Sequence, residues 1–543
     1  MTEGRQPRRD GGRGDANRGG GRGRDGSNRG GGRDRDGRGF GSRRDDAGRE
    51  RSGSRGSGGP RRGHSQHAPS ERSRQGDPAR LTAYEVLRAV ADEGAYANLL
   101  LPQVLRRRHL HGRDAGFATE LTYGAIRMQG LYDRIIAIAA ARPVASIDAN
   151  VVDTLRLGAH QLLGMRVPEH AAADQTVALA RQVNGAGAAT LVNAVMRRIS
   201  ERSREEWLEA VTDGVTDPIE RLSIEESHPT WVLKALRQAL LGHGTSTATT
   251  IDADLAALAH AHNAPPKVTL VARPGLATLD ELTERGGEPS RLSRVGVVRE
   301  SGDPSSIAAV RNGRAAVQDE GSQLIPLALV DVPLEGAAAD APWLDLCAGP
   351  GGKAGLLAGL AVQAGRDLVA NEVSDHRAGL VRLTLRPAVE AATEAGTTIE
   401  VRTGDGRDVG DEEPARYARV LVDAPCTGLG ALRRRPEARW RRQPHDVSDL
   451  TPLQHALLAS AIDATISGGV IAYATCGPHL AETIFTVKDV LKKRDDVELI
   501  DAREYLRDAS GAPIEHVGDG PMVQLWPHLH GTDGMFLALL RKR

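Results

Sequence analysis

Between Pro78 and about Ser200 the apolar positions recur at helical spacing. Leu81, Tyr84, Val86, Leu87 and Val90 fall near i, i+3 and i+6, and TLRLGAHQLLGM and AATLVNAVMRRIS behave the same way. This stretch predicts an all-helical bundle of five or more helices. After Arg314 the pattern changes to short apolar runs, WLDL, LVANEV, IEVR, RVLVDA and VIAYAT, separated in most cases by helical stretches. That alternation predicts an α/β domain built on a parallel, doubly wound sheet, in which a ligand sits outside the carboxyl ends of the strands. The segment between them, 206–315, carries a short helix in ESHPTWVLKAL and a strand in KVTLVARPG after the turn Asn263–Pro266, and reads as a small α+β linker domain.

Composition adds a fourth segment. Residues 1–77 hold 20 arginines against 11 acidic residues, while the 543-residue chain as a whole is formally neutral. Met1 and Phe40 are the only large apolar side chains there, too few to offset the entropy of ordering the chain. The expectation is a disordered Arg/Gly-rich tail, either a solubilising extension or an arm that tracks nucleic-acid phosphates. The domain boundaries expected are thus 1–77, 78–205, 206–315 and 316–543. Three cysteines argue against a disulfide scaffold, no Cys/His cluster suggests a metal, and no stretch approaches the roughly 18 apolar residues of a membrane span. A cytoplasmic protein is expected, without metal or membrane partner.

All three cysteines stand where an apolar run meets a turn: DLCAGPGGK, VDAPCTGLG and YATCGPH. In the first, Gly349, Pro350, Gly351 and Gly352 let backbone amides approach a ligand at the start of a helix. Glu372, about 20 residues on at the end of the next run, is placed to hold ribose hydroxyls. Asp405, in TGDGR, is placed for an adenine amino group. The order GxxxxGK[ST] of a phosphate loop is absent, since Lys353 precedes Ala354. Adenine, ribose and a zwitterionic tail fit S-adenosylmethionine.

The three motifs, in that order, resemble those of the RNA 5-methylcytosine methyltransferases of the NOL1/NOP2/Sun family, and VQDEGSQL at Val317–Leu324 resembles the start of their catalytic domain. ARLTAYEVLRAV, DAGFATELTYGAIR and ATLVNAVMRRIS resemble NusB-like RNA-binding domains. The resemblance implies a Rossmann-like class I methyltransferase domain preceded by the all-helical domain and the linker. It implies a cofactor turn of Cys347, Ala348, Gly349, Pro350, Gly351, Gly352 and Lys353, with Cys347 packing inside it. Two positions depart from the family's usual residues: Gly477 stands where Ser is common, and Glu372 where Asp is common.

Carbon 5 of cytosine is a poor nucleophile until a thiolate adds to carbon 6, so two cysteines at one site suit its methylation. Spacing alone leaves open which cysteine attacks. The resemblance implies that Cys476 is the nucleophile and that Cys426 assists release, with Asp423 orienting the base or reaching the cofactor. The implied partner is RNA, with small-subunit ribosomal RNA expected and a monomeric enzyme. The target base must be unpaired or flipped out. GALRRRPEARWRRQ, with six arginines between Arg433 and Arg442 around Trp440, reads as a phosphate track with a stacking surface. Two alternatives are a methyltransferase acting on an exocyclic nitrogen, disfavoured by Asp-Ala-Pro-Cys where Asp-Pro-Pro-aromatic is typical, and a non-catalytic RNA-binding or assembly factor.

Overall fold

The computed structural model describes residues 77–543 apart from 285 and 301; the expected Arg/Gly-rich tail lies outside the described residues. From Pro78 to Ile199 the chain is helical, starting with helix Pro78–Asp92, whose N-cap Asp77 accepts from the Arg80 amide. Its core combines Val86, Leu87, Leu101 and Leu121 with a second cluster around Leu131, Ile135, Leu155 and Val192. Helices continue to Asn263, and Pro229 opens the helix Thr230–Gly242 as ESHPTWVLKAL predicts.

Four short strands follow: β1 (Val268–Ala272), β2 (Glu288–Pro289), β3 (Gly296–Arg299) and β4 (Ala315–Val317), joined antiparallel in the order 2-3-1-4. The C-terminal domain contributes β5 (Trp343–Asp345), β6 (Leu368–Glu372), β7 (Ile399–Thr403), β8 (Tyr417–Asp423), β9 (Thr465–Thr475), β10 (Val497–Ile500), β11 (Val523–Gln524) and β12 (Phe536–Lys542). Their order is 10-12-9-8-5-6-7, with β11 paired to β12. Strands β5 to β9 run parallel, and β12 returns antiparallel to β9.

The apolar runs are continuous because both faces of this sheet are covered. Successive residues of one strand enter different cores: Val470, Ala472 and Ala474 join Leu356, Leu357 and Leu385, whereas Ile471 and Tyr473 join Val420, Leu458 and Val487. The strand order reverses at β5, with β6 and β7 on one side and β8 and β9 on the other. That switch point puts the glycine turn, the ends of β6 and β7, and both motif cysteines along one edge.

The arginine-rich segment after β8 corrects the expectation of a phosphate track. Arg433 donates to Gly531 O (2.9 Å), Arg434 pairs with Asp533, and Arg442 donates to Thr427 O (3.1 Å). Arg441 donates to Gly94 O (2.9 Å) and Val90 O (2.7 Å). Arg439, fully buried, donates to Asn263 Oδ1 (2.8 Å), Ser227 O (3.2 Å) and His262 O (3.2 Å), and desolvation lowers its pKa to about 9. Trp440 Nε1 donates to Ile126 O (3.1 Å), so the indole is a packing group between domains. These guanidiniums spend their donors on carbonyls and carboxylates of the protein, which would cost free energy if left unpaired in the interior. The segment is a clamp joining the loop after β8 to the helical domain.

Candidate active site

The glycine turn is anchored from beside and below. Asn371, on β6, donates through Nδ2 to Leu346 O (3.2 Å) and Gly404 O (3.1 Å), tying together the ends of β5, β6 and β7. Glu372 is 2% exposed and accepts from the amides of Gly349 (3.1 Å) and Ser374 (2.8 Å), and Arg377 pairs with it at 2.6 Å. A Cβ at residue 349 would lie 2.2 Å from Glu372 Oε2, so only glycine permits this approach. Gly351, at φ 114°, turns the chain into helix Gly352–Gln363. Cys347 packs against the core around Leu344 and Leu346, and burial pushes its thiol well up. Asp405, at the end of β7, accepts from the Arg407 amide (3.0 Å) and pairs with its guanidinium.

Sequence reading passed over Asp345, the last residue of β5. Its carboxyl is fully buried, no side chain donates to it, the Cys347 amide is its one backbone neighbour, and burial together with the nearby Asp423 pushes its pKa up to about 8. A buried acid beside a glycine turn is a chemical match for a cationic amino group. In this respect the residues present fit the zwitterionic end of S-adenosylmethionine.

The two motif cysteines meet although 50 residues separate them: Cys426 Sγ lies 3.4 Å from Cys476 Sγ. Strand pairing carries each to the edge, since Ala424 N donates to Ala474 O (2.9 Å) one residue beyond the β8–β9 ladder. Gly430 N then donates to Cys476 O (2.9 Å) and Gly534 N to Gly430 O (2.8 Å). The passage is narrow enough that a Cβ on Gly430 would sit 2.0 Å from Gly534 O. Lys353 Nζ donates to Asp423 Oδ2 at 2.9 Å; burial opposes the ammonium charge, and Asp423 more than restores it, raising the pKa.

Glu482, six residues beyond Cys476, was also passed over. Its carboxylate is fully buried and accepts from the Thr427 amide (2.7 Å), the Thr427 hydroxyl and Gln454 Nε2 (3.3 Å). Gln454 also donates to Pro425 O (2.9 Å), so Pro425, Cys426 and Thr427 are strapped from below. The electrostatics separate the two thiols. The Cys476 thiol is lowered by the hydrogen bond it shares with Cys426, with help from Lys353 and Arg435, against burial and the Asp423 charge. Cys426 is held well above the usual thiol range by that same bond and by burial, with Glu482 and Asp423 adding to the effect.

Residues 332–541 match the family model described as 16S rRNA methyltransferase RsmB/F, and residues 77–201 match the NusB family. The ribosomal RNA small subunit methyltransferase B of Pseudomonas putida is 31% identical over 478 residues, covering 85% of this chain and 98% of that protein. The chain belongs to the RsmB/F family of rRNA methyltransferases. Its cofactor is S-adenosylmethionine. A protein of Mycobacterium tuberculosis named as a methyltransferase is 47% identical over 473 residues, covering 87% of this chain and 98% of the relative. The crystal structure of PH0851 shares the fold, with a TM-score of 0.67 at 19% identity over 86% of this chain and 99% of that one. Among the described residues no helix is long and apolar enough to cross a membrane, and no group of three or more His, Cys, Asp or Glu is placed to hold a metal ion.

Proposed function

We propose that this protein methylates carbon 5 of a cytosine in ribosomal RNA, in the small-subunit RNA by the names of its relatives, through a covalent bond between Cys476 and the base. The observation that carries this reading is the pair of thiols 3.4 Å apart with opposite pKa shifts. Cys476, favoured as thiolate, adds to carbon 6 and makes carbon 5 nucleophilic. The bound cofactor supplies the electrophilic methyl group. The carbon-5 proton passes to water, its electron pair re-forms the double bond between carbon 5 and carbon 6 and expels the Cys476 sulfur, and Cys426, kept as a thiol, renews its hydrogen bond to that sulfur as the carbon–sulfur bond breaks. Asp423, fixed by Lys353, orients the cytosine edge. Glu372 and Asp405 would hold the ribose and adenine, the turn 347–353 the cofactor's backbone-facing side, and Asp345 its amino group.

The test is ribosomal RNA carrying tritium at carbon 5 of cytosine. Tritium should enter water in step with methyl incorporation. Methyl incorporation without tritium release would move the reaction to another atom, and no incorporation from small- or large-subunit RNA would refute the proposal.

The placement of Asp345 has its own expected result. Free of cofactor, a carboxyl with a pKa near 8 is mostly protonated at pH 7; beside a cationic amino group the ionised form is favoured. Binding at pH 7 should therefore release about one proton from this carboxyl. Calorimetry in buffers of different ionisation enthalpy reads that release, and Asp345→Asn should abolish it. Equal proton release by wild type and Asp345→Asn would remove Asp345 from the cofactor site.

A further inference from the structure

One arginine of the clamp is not consumed by it. Arg435 makes no side-chain hydrogen bond or ion pair among the described residues; its guanidinium carbon instead lies 5.3 Å from the ring centroid of Tyr96, which precedes helix Ala97–Arg107 in the helical domain. Arg441 lies 5.4 Å from the same centroid and, through Val90 O and Gly94 O, fixes the turn that presents the ring. Tyr96 is 43% exposed, a large fraction for an aromatic residue gripped so closely. Arg435 is also tied to the chemistry. Its amide donates to Ala431 O (2.9 Å), and the preceding residue, Gly430, is the one bonded to Cys476 O.

Resting on the function proposed above, we propose that Tyr96 and Arg435 seat an unpaired nucleotide next to the target cytosine, the ring stacking on its base and the guanidinium meeting its phosphate. An exposed aromatic ring capped by an unpaired cation is the composition that single-stranded RNA recognises, because every base has a π-face and every link a negative charge. Glu437, between Arg435 and Arg441 and within reach of both charges, is 1% exposed and so does not compete with a phosphate at the surface; exposed Asp92 and Glu93 lie on the turn before Tyr96. Along the outer face of the helix the surface continues through Leu99 at 57% exposure to the exposed Arg106, which lies near the exposed Asp303. The site is composite: the ring comes from the helical domain and the cation from the catalytic loop. The helical domain thereby contributes directly to the substrate cleft.

The experiment uses the full-length chain and protein-free 16S rRNA transcript. Tyr96→Ala should raise the KM for RNA about tenfold, as loss of one stacked base does, and Tyr96→Phe should restore most of the affinity. Arg435→Gln should weaken RNA binding and reduce the slope of log affinity against log salt by about one. Cofactor affinity and melting temperature should be unchanged in all three, which separates the proposal from a packing role. Unchanged RNA binding by Tyr96→Ala, beside an active wild type, would overturn the platform while leaving the proposed reaction standing. A defect seen with assembling subunits but absent with naked RNA would also overturn it and assign the surface to a protein. A wild type that methylates no RNA fails the underlying reaction, and the platform with it.

Discussion

Cys476→Ala should abolish methyl transfer, with turnover falling by at least about four orders of magnitude, while S-adenosylmethionine affinity stays within about twofold of wild type. The first part follows from the chemistry: without a sulfur to add at carbon 6, carbon 5 remains a poor nucleophile, and removal of a covalent nucleophile typically leaves only what binding and orientation supply. The second follows from the geometry. Cys476 is bonded through its carbonyl to Gly430 and through its thiol to Cys426, whereas the glycine turn, Asn371 and Glu372 form a separate hydrogen-bonded unit across β5, β6 and β7. Rapid quench with labelled cofactor reads the first part and calorimetry the second. Measurable single-turnover methylation by Cys476→Ala would take the nucleophile's role away from this residue.

The reach of sequence reading differs sharply between parts of this site. The parallel sheet was legible because burial on both faces leaves a direct trace, an uninterrupted apolar run such as RVLVDA, and its turns are written in glycine and proline. The cysteines were legible because a thiol at the end of such a run, beside a proline, is an uncommon placement. Three features left no local trace. Arg439 is indistinguishable from a surface arginine until Asn263 and Ser227, 176 and 212 residues away, are brought to it. Asp345 sits inside the apolar run WLDL, where a pattern of apolar positions registers it as an interruption and not as an acid buried beside the glycine turn. Glu482 ends a single 3-10 turn, Leu480–Glu482, where nothing in the local sequence signals complete burial of an acid; its carboxylate is inside because the Thr427 amide and hydroxyl and Gln454 supply the hydrogen bonds that water would otherwise provide. In each case the missing information is the identity of a partner distant in sequence. A run of arginines was therefore read by its charge, when its acceptors decide what it does.

Cys426→Ala should fail differently from Cys476→Ala, and the difference tests the division of labour between the thiols. In the proposed reaction, attack at carbon 6 needs the Cys476 thiolate, which Lys353 and Arg435 still favour when the hydrogen bond with Cys426 is gone. Expulsion needs the same sulfur to leave as an anion in a buried site, and there Cys426 is the donor 3.4 Å away that stabilises the departing charge. Removing it should leave addition and methyl transfer largely intact and stall release. The enzyme should then remain joined to methylated RNA, visible as a slow-migrating band on a denaturing gel that collapses on nuclease treatment, with one methyl group per trapped chain. Strapping of the loop by Glu482 and Gln454 argues that alanine at 426 leaves the backbone in place, since the straps hold Pro425 and Thr427 and not the cysteine side chain. The double variant Cys426→Ala/Cys476→Ala should show no band, because no sulfur is left at the site to form the bond. A band that persists in the double variant would take the covalent bond away from Cys476, and normal turnover by Cys426→Ala alone would take the release step away from Cys426.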